Sequence, residues 1–256
     1  MPAHAAYPFL DWPGPLPFAH RGGASEAPEN TMPAFEHAVR MGYRYLETDV
    51  HVTADGVLVA FHDDRLDRVT DRAGEIARLP WAEVQRALVD GREPIPRFED
   101  LLAAWPDVRI NVDPKHDDAA EPLAEAILRT GAVDRVCIGA FSDRRLDRVQ
   151  ALVGQSLCRS MGPREVARLV AASRGLPGAG GLRSPCAQVP VRQKGIPIVT
   201  ERFVETAHRH GIQVHVWTVD DADEMRQLLD LGVDGIMTDA PAVLKQVLEE
   251  RGAWVG

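Results

Sequence analysis

Short apolar runs alternate with amphipathic helical stretches along most of the chain. Each run is short enough for a buried strand, and each stretch after it has the spacing of a helix with one apolar face. Repeated strand–helix units predict a parallel sheet, and eight predicted strands in 256 residues indicate a TIM (β/α)8 barrel. The predicted strands cover 18–19, 43–50, 108–113, 135–139, 155–159, 187–189, 213–219 and 234–238, and the predicted helices cover 32–41, 118–130, 143–152, 163–172, 201–210, 222–231 and the residues from 242 onwards.

One additional strand at 57–61 does not fit the strand–helix repeat. It follows the second strand across Asp55 and Gly56, and an Asp-Gly pair between two β-rich runs is a strong hairpin signal. We therefore predict an antiparallel hairpin over 47–62. A two-residue turn at Asp55 and Gly56 makes cross-strand residue numbers add to 111, which sets Asp49 opposite His62.

Two segments depart from the strand–helix repeat. Residues 64–96 are charged and contain several glycines and prolines, with a short helix predicted at 81–88, and we expect them to cross the mouth of the barrel. Residues 173–186 have the composition of a flexible loop. Neither segment is long enough to form a domain alone. We therefore predict one domain over 1–256, with an inserted segment at about 64–96 after the hairpin of the second strand.

Three carboxylates fall where predicted strands end. In an α/β barrel the carboxyl ends of the strands form one rim, and this rim carries the active site. Glu47 and Asp49 end the second strand and Asp113 ends the third. Clustered carboxylates raise one another's pKa unless a cation neutralises them, and an all-oxygen set favours Mg²⁺ or Ca²⁺ over zinc. The sequence therefore predicts one divalent cation held by these three residues.

Two histidines and two cationic side chains complete the predicted site. His20 ends the first strand and His62 follows the hairpin. Imidazole titrates near neutral pH, so each could deprotonate a nucleophile or protonate a departing alkoxide, and spacing leaves open which does which. Arg21 and Lys115 are candidates for balancing the charge of a phosphate.

Other polar or aromatic residues also fall near the rim. Trp217 ends the seventh strand and is a candidate for substrate contact, although a single tryptophan is more often a core residue. Asp239 follows the eighth strand. For His51, His116 and His215 a packing or surface role fits the spacing at least as well as a role in the site.

Composition and charge narrow the class of protein. The hydrophobic fraction of 45% and charged fraction of 26% are those of a globular protein, and the net charge of −9 argues against nucleic-acid binding. The apolar runs are too short for stable membrane insertion. Residues 1–17 lack the features of a signal peptide, so we expect a cytoplasmic location and a small-molecule partner. Cys137, Cys158 and Cys186 are predicted to be buried, reduced thiols rather than a disulfide or zinc site.

These motifs, taken in order, resemble the signature of the glycerophosphodiester phosphodiesterase family. The likeness extends over nearly the whole chain and is specific as an ordered set, although each motif alone is weak. The segments that carry it are His20-Arg21-Gly22, Pro28-Glu29-Asn30-Thr31, Glu47-Thr48-Asp49-Val50, His62-Asp63, Ile95-Pro96, Asp113-x-Lys115, Phe141-Ser142, Val216-Trp217-Thr218-Val219 and the run from Gly232 to Pro241.

The resemblance implies a TIM barrel with an insertion that matches 64–96. It implies hydrolysis of a glycerophosphodiester to glycerol 3-phosphate and an alcohol, with attack by the glycerol 2-hydroxyl and a cyclic phosphate opened by water. Many members of the family have glutamate where this chain has Asp113, which leaves the identity of the metal open. The implied roles are metal binding by Glu47, Asp49 and Asp113, acid–base catalysis by His20 and His62, and phosphate binding by Arg21 and Lys115.

Two alternatives stay open at this point. A phosphodiesterase of lysophospholipase D type would need an apolar groove at the rim, and 64–96 and 173–186 contain a few apolar residues that could supply it. A non-catalytic phosphoester-binding protein could use the same scaffold, because a fold alone does not fix an activity. The presence of both histidines and all three carboxylates favours the enzyme.

Overall fold

Eight parallel strands form a closed barrel in the computed structural model, which describes residues 7–177 and 180–256. The strands of the barrel are β1 (Leu16–Ala19), β2 (Tyr45–Val52), β6 (Arg109–Pro114), β7 (Val136–Ile138), β8 (Cys158–Arg159), β9 (Cys186–Pro190), β12 (Gln213–Trp217) and β13 (Gly235–Thr238). Each strand pairs with its neighbours in the order β1-β2-β6-β7-β8-β9-β12-β13-β1. A single parallel bridge between Ser160 and Cys186 joins β8 to β9 and closes the ring.

Helices cover the outside of this barrel, as the alternating pattern predicts. Several begin at a side chain that accepts a backbone N–H in the first turn, namely Thr31, Ser142, Thr200 and Asp221. Apolar helix faces and the outer faces of the strands form two large clusters of buried residues. The helices are α1 (Met32–Arg40), α2 (Trp81–Val84), α3 (Phe98–Ala104), α4 (Ala120–Arg129), α5 (Asp143–Val153), α6 (Pro163–Ser173), α7 (Glu201–Arg209), α8 (Ala222–Asp230) and α9 (Pro241–Glu250).

The predicted hairpin is present, but its register differs from the prediction by one residue. Strand β3 (Leu58–Ala60) pairs antiparallel with β2, and the paired residue numbers add to 110 rather than 111. The turn has three residues: the N–H of Gly56 donates to the Thr53 carbonyl, and Gly56 takes φ +87°. A turn closed by a left-handed glycine is the usual three-residue hairpin loop. Asp49 therefore lies opposite Phe61, and the predicted pairing of Asp49 with His62 is wrong.

Residues between β3 and α3 form a small structure beside the barrel. It contains α2 and a two-stranded hairpin of β4 (Leu88–Val89) and β5 (Glu93–Pro94). The helix predicted at 81–88 is therefore shorter than expected, since it ends at Val84 and Leu88 already belongs to β4. Buried side chains give the segment its own apolar cluster, which Val59 and Phe61 from the barrel hairpin share. This cluster fixes the chain just after β3.

Aromatic side chains close the amino-terminal end of the barrel. A turn of 3-10 helix at Pro8–Leu10 buries Phe9 and Leu10 completely or nearly so. Phe9 packs edge-on against Tyr45 at 5.3 Å between ring centroids, and the Tyr45 hydroxyl donates to the Phe9 carbonyl. Burial raises the pKa of Tyr45. We call this end the floor, and the opposite, carboxyl-terminal end is the rim.

The three cysteines lie together near the floor, although they are far apart in sequence. All three are buried and free, as predicted. Their sulfur atoms lie within 4.8 Å of one another, next to Phe18 and Met237 in one apolar cluster.

A second short pair, β10 (Arg192–Gln193) with β11 (Ile196–Pro197), precedes α7. The loop predicted at 173–186 begins at the end of α6, and Gly178 and Ala179 lie outside the described residues. Within the described ranges, no helix combines the length and apolar character needed to cross a bilayer.

Candidate active site

The end of β1 turns sharply into the site through His20, Arg21 and Gly22. These residues form one turn of 3-10 helix, in which Arg21 takes φ +52° and Gly22 takes φ +84°. A Cβ atom at Gly22 would lie 2.8 Å from the Cβ of Ala34, so α1 can approach this closely only because the residue is glycine. The turn directs His20 and Arg21 towards the end of β2.

His20 lies between two carboxylates. Its Nδ1 is 2.7 Å from Asp239 Oδ1, and its Nε2 is 3.7 Å from Glu47 Oε2. Burial alone would lower the pKa of His20, but the Glu47 carboxylate and the hydrogen bond that His20 donates to Asp239 outweigh it and raise this pKa. Since Asp239 holds one ring nitrogen, Nε2 is the nitrogen directed towards the carboxylates of the site.

The carboxylates that the sequence predicted as metal ligands come from two adjacent strands. In the β2–β6 pairing, Glu47 lies beside Asn111 and Asp49 beside Asp113. Glu47 and Asp49 are buried, and burial together with the charge of Asp49 raises the pKa of Glu47 to about 7. Burial also raises the pKa of Asp113, although Lys115 opposes it. The register of the sheet therefore places acidic groups side by side, and the positive charge around them is too small to keep the pKa of every one at its ordinary value.

Lys115 lies between two of these carboxylates. Its Nζ is 2.6 Å from Asp49 Oδ1 and 3.0 Å from Asp113 Oδ2. Burial opposes the charged form of both Asp49 and Lys115. The Lys115 ammonium nevertheless lowers the pKa of Asp49, and the two carboxylates raise the pKa of Lys115. Among the described residues, Glu47, Asp49 and Asp113 do not form a set whose oxygens all lie within 4.8 Å of one another.

An oxygen atom of Asp113 is compatible with a further cation. Asp113 Oδ1 is buried and has no hydrogen-bond partner among the residues that the structure describes. A buried acceptor without a partner costs free energy unless a ligand satisfies it. Together with the raised pKa of Glu47, this oxygen fits the all-oxygen donor set of a hard divalent ion.

Arg21 and Arg68 connect the site to the segment after β3. Arg21 Nη1 donates to Glu29 Oε1 at 3.2 Å, and its Nε is 3.5 Å from Asp49 Oδ2. Arg68 binds both oxygens of Glu29, at 2.9 and 2.7 Å, and also donates to Asp63. This bidentate contact fixes the first loop against the segment that carries His62.

His62 is held at the edge of this arrangement by its neighbour. Its Nδ1 is 2.6 Å from Asp63 Oδ1, and the Arg68 hydrogen bond to Asp63 lowers the pKa of that carboxyl to about 2. The His62 carbonyl accepts a hydrogen bond from Nε2 of His51 at 3.0 Å. His62 therefore approaches the rim past the end of β3 rather than as a cross-strand partner of Asp49.

Trp217 lies at the rim, where it packs against an exposed aromatic ring. Phe141 meets it edge to face, with ring centroids 5.7 Å apart, and is itself 71% exposed. Phe141 and Trp217 therefore form a small aromatic face at the rim.

Several residues of the site have roles that the sequence did not predict. Thr31 caps α1, whereas Asn30 just before it contacts Asp49 and Thr48. Asp239 orients His20, and its place directly after an eighth strand was the available signal. Arg68 carried no signal, because one arginine in a charged segment cannot be distinguished from a solvated one.

The comparisons with known proteins identify the family of this chain. Residues 20–243 match the model of the "Glycerophosphoryl diester phosphodiesterase family". The chain is 42% identical over 253 residues to a Mycobacterium tuberculosis protein named Probable glycerophosphodiester phosphodiesterase 2, covering 97% of this chain and 96% of the relative. It is 26% identical to a lysophospholipase D of Rattus norvegicus, covering 92% and 86%.

A solved structure also shares the fold. An Oleispira antarctica phosphodiesterase in complex with its product sn-glycerol-3-phosphate superposes with a TM-score of 0.78 at 21% identity, covering 96% of this chain and 99% of that one. The matched range begins at His20 and includes Asp239, so it spans both ends of the site described above. The chain therefore belongs to the glycerophosphoryl diester phosphodiesterase family and is an enzyme of that class.

Proposed function

We propose that this enzyme hydrolyses glycerophosphodiesters to glycerol 3-phosphate and an alcohol, with a divalent cation and two histidines. The observation that carries the proposal is the meeting of His20, Glu47, Asp49 and Lys115 at one rim, within direct or near contact of each other. The 42% identical mycobacterial relative bears the name of this activity, and the Oleispira phosphodiesterase was solved with sn-glycerol-3-phosphate.

Glu47, Asp49 and Asp113 would hold the cation, and Mg²⁺ or Ca²⁺ fits their oxygen donors. When bound, the cation supplies a positive charge that polarises a phosphoryl oxygen. Lys115 and Arg21 face the same carboxylates and would balance the remaining charge of the phosphate. Aspartate at 113 reaches less far than glutamate by one methylene, which makes metal preference a property to measure.

His20 and His62 would move the protons of the reaction. One removes the proton of the attacking hydroxyl as its oxygen bonds to phosphorus, and the other protonates the alkoxide as the phosphorus–oxygen ester bond breaks. Asp239 and Asp63 each contact one Nδ1 atom, at 2.7 and 2.6 Å. These contacts leave Nε2 of each ring to face the substrate. In the route implied by the family, the first nucleophile is the glycerol 2-hydroxyl and water opens the cyclic phosphate.

A lysophospholipid substrate is the second candidate. The exposed ring of Phe141 beside Trp217 would suit an apolar chain at the rim, and a 26% identical relative is a lysophospholipase D.

We also propose that residues 1–256 act as one domain with an inserted segment at about 64–96, and that the enzyme works on small molecules in the cytoplasm.

The experiment compares three substrates and identifies the product that keeps the phosphate. Glycerophosphocholine, glycerophosphoethanolamine and lysophosphatidylcholine are incubated with the enzyme in Mg²⁺, Ca²⁺ or EDTA. We expect glycerol 3-phosphate and the free alcohol from the first two, and loss of turnover in EDTA. Turnover of lysophosphatidylcholine alone would favour the second candidate, and no turnover with any substrate would refute both.

His208→Ala is a matched control for His20→Ala. His208 also contacts an aspartate, Asp234 at 2.8 Å, but it lies at the end of α7 near the floor. We expect His20→Ala to lower kcat by about 10²–10⁴-fold and His208→Ala to leave it unchanged. Equal turnover by both variants would remove His20 from the proposed chemistry.

A further inference from the structure

A second group of metal-ligating side chains lies beside the site but outside the proposed metal ligands. His51, Asp64 and His116 each offer a ligand atom, and these atoms lie within 4.8 Å of one another. His51 comes from β2, His116 follows β6, and Asp64 lies two residues after His62. Three separate parts of the chain therefore meet at this point.

The hydrogen bonds of His51 prepare it as a ligand. Its Nε2 lies 3.0 Å from the carbonyl oxygen of His62, and a carbonyl oxygen only accepts, so Nε2 carries the proton. Nδ1 then keeps its lone pair. A metal-binding histidine usually donates its other ring N–H to a carbonyl or carboxylate in this way, which fixes the tautomer and the orientation of the ring. His51 is buried, so this orientation is held by packing as well.

The other two ligands can close on an ion with little movement. His116 Nε2 already lies 2.8 Å from Asp64 Oδ1, and the two side chains are 50% and 65% exposed. Tetrahedral zinc with bonds of about 2.1 Å places its ligand atoms about 3.4 Å apart. The side chains of Asp64 and His116 are free to make the remaining adjustment because solvent lies on their outer side.

We propose that His51, Asp64 and His116 form a site for a divalent transition-metal ion of the zinc class. Two imidazoles and one carboxylate match the ligands of zinc, and nitrogen ligands exclude this set as a preferred site for Mg²⁺ or Ca²⁺. Three protein ligands leave the fourth position for water. The ion would join β2, the loop after β6 and the segment after β3, and it would fix the backbone of His62 through His51.

Zinc binding is measured by calorimetry on the whole enzyme in excess Mg²⁺, which keeps the ion away from an oxygen site. We expect one Zn²⁺ per chain, and an affinity at least about tenfold lower in His116→Ala and in Asp64→Asn, since losing even an outer-shell partner of a metal ligand costs 10–100-fold. His37→Ala is the matched control, because His37 is 47% exposed and bonds to a carboxylate of Glu26. It should bind Zn²⁺ as the unmodified enzyme does.

Cobalt substitution separates this site from the buried cysteines. We expect the tetrahedral Co²⁺ spectrum of nitrogen and oxygen ligands, whereas a thiolate-to-cobalt charge-transfer band would place the ion at Cys137, Cys158 and Cys186 and overturn the proposal. Unchanged Zn²⁺ affinity in His116→Ala, with His116 and Asp64 acting as an ion pair only, would also overturn it. None of these readouts depends on turnover, so the result is independent of the proposed function.

Discussion

The rim and the floor of this barrel are built on opposite principles, although the same eight strands form both. At the floor, the buried groups are neutral: the Tyr45 hydroxyl donates to the Phe9 carbonyl within a cluster of aromatic rings and thiols, and Trp12 Nε1 is an uncharged donor without a partner among the described residues. At the rim, the pKa of buried Glu47 is raised to about 7, and Asp113 keeps an oxygen without a partner in the described part of the chain. The difference shows that the floor stabilises the fold, whereas the rim keeps charges that only a ligand can complete.

The sharpest test of this comparison is Glu47→Gln. The substitution removes a negative charge from the proposed metal site, and we expect kcat/KM on glycerophosphocholine to fall by about 10³–10⁴-fold, because such a cation supplies several kcal/mol of transition-state stabilisation. Since Glu47 is buried beside Asp49, its loss also relieves repulsion, and the free energy of unfolding should stay equal or rise. Urea unfolding measures it. A variant that is active but less stable would contradict the division between the two ends.

Phe9→Ala tests the other side of the comparison. Phe9 is fully buried against Phe18 and Tyr45, so its truncation should lower the free energy of unfolding by about 3–5 kcal/mol. At a temperature where the variant stays folded, we expect kcat to be unchanged. A large fall in kcat with an unchanged free energy of unfolding would contradict the comparison, because it would show that the floor affects catalysis and not only stability.

The pH dependence of stability should show a smaller effect. For most carboxyl groups the folded protein becomes more stable as pH rises, whereas Glu47 should make it less stable. A carboxyl whose pKa is raised by folding binds more protons in the folded than in the unfolded state, so stability falls as pH rises. For Glu47 the window runs from about pH 4.5 to about 7. In EDTA we expect the free energy of unfolding of the unmodified enzyme to fall across this window. The fall should exceed that of Glu47→Gln by on the order of 1–3 kcal/mol. Parallel curves for the two proteins would refute the raised pKa.

Asp239→Asn should produce the smallest change. Asp239 raises the pKa of His20, so its neutralisation should move the limb of the pH–rate profile that belongs to His20 towards lower pH and lower kcat about tenfold. If the alkaline limb moves, His20 is the acid, and if the acidic limb moves, it is the base. An unmoved profile would remove Asp239 from the positioning of His20.

The sequence predicted the barrel and the composition of the rim because both follow from local patterns. Eight predicted strands, most of them followed by a helix, identify the fold. A parallel barrel brings all strand ends to one rim, so placing Glu47 and Asp113 there needed no distance information. The register of the hairpin, in contrast, could not be predicted without distance information. Thr53 bonds to Val57 and Asp55, which enlarges the turn by one residue, and an Asp-Gly pair is compatible with either turn length.

Contacts that depend on long-range packing could not be predicted from the sequence. The hydrogen bond from His20 to Asp239 joins residues 219 positions apart, and the one from Arg68 to Glu29 joins residues 39 apart. The three cysteines are far apart in the sequence, and the barrel brings them together on neighbouring strands. Their burial was predictable from residue type, whereas their contact depends on strand register.

The position of Lys115 has a consequence for the proposed divalent ion. Its ammonium already neutralises the part of the acidic group formed by Asp49 and Asp113, so the barrel would not depend on that ion to form. Folding and ion loading would then be separate events, unlike in small domains whose metal supplies the energy of folding. An enzyme of the proposed kind would be stored folded and inactive, and the ambient concentration of the ion would set how much of the population works.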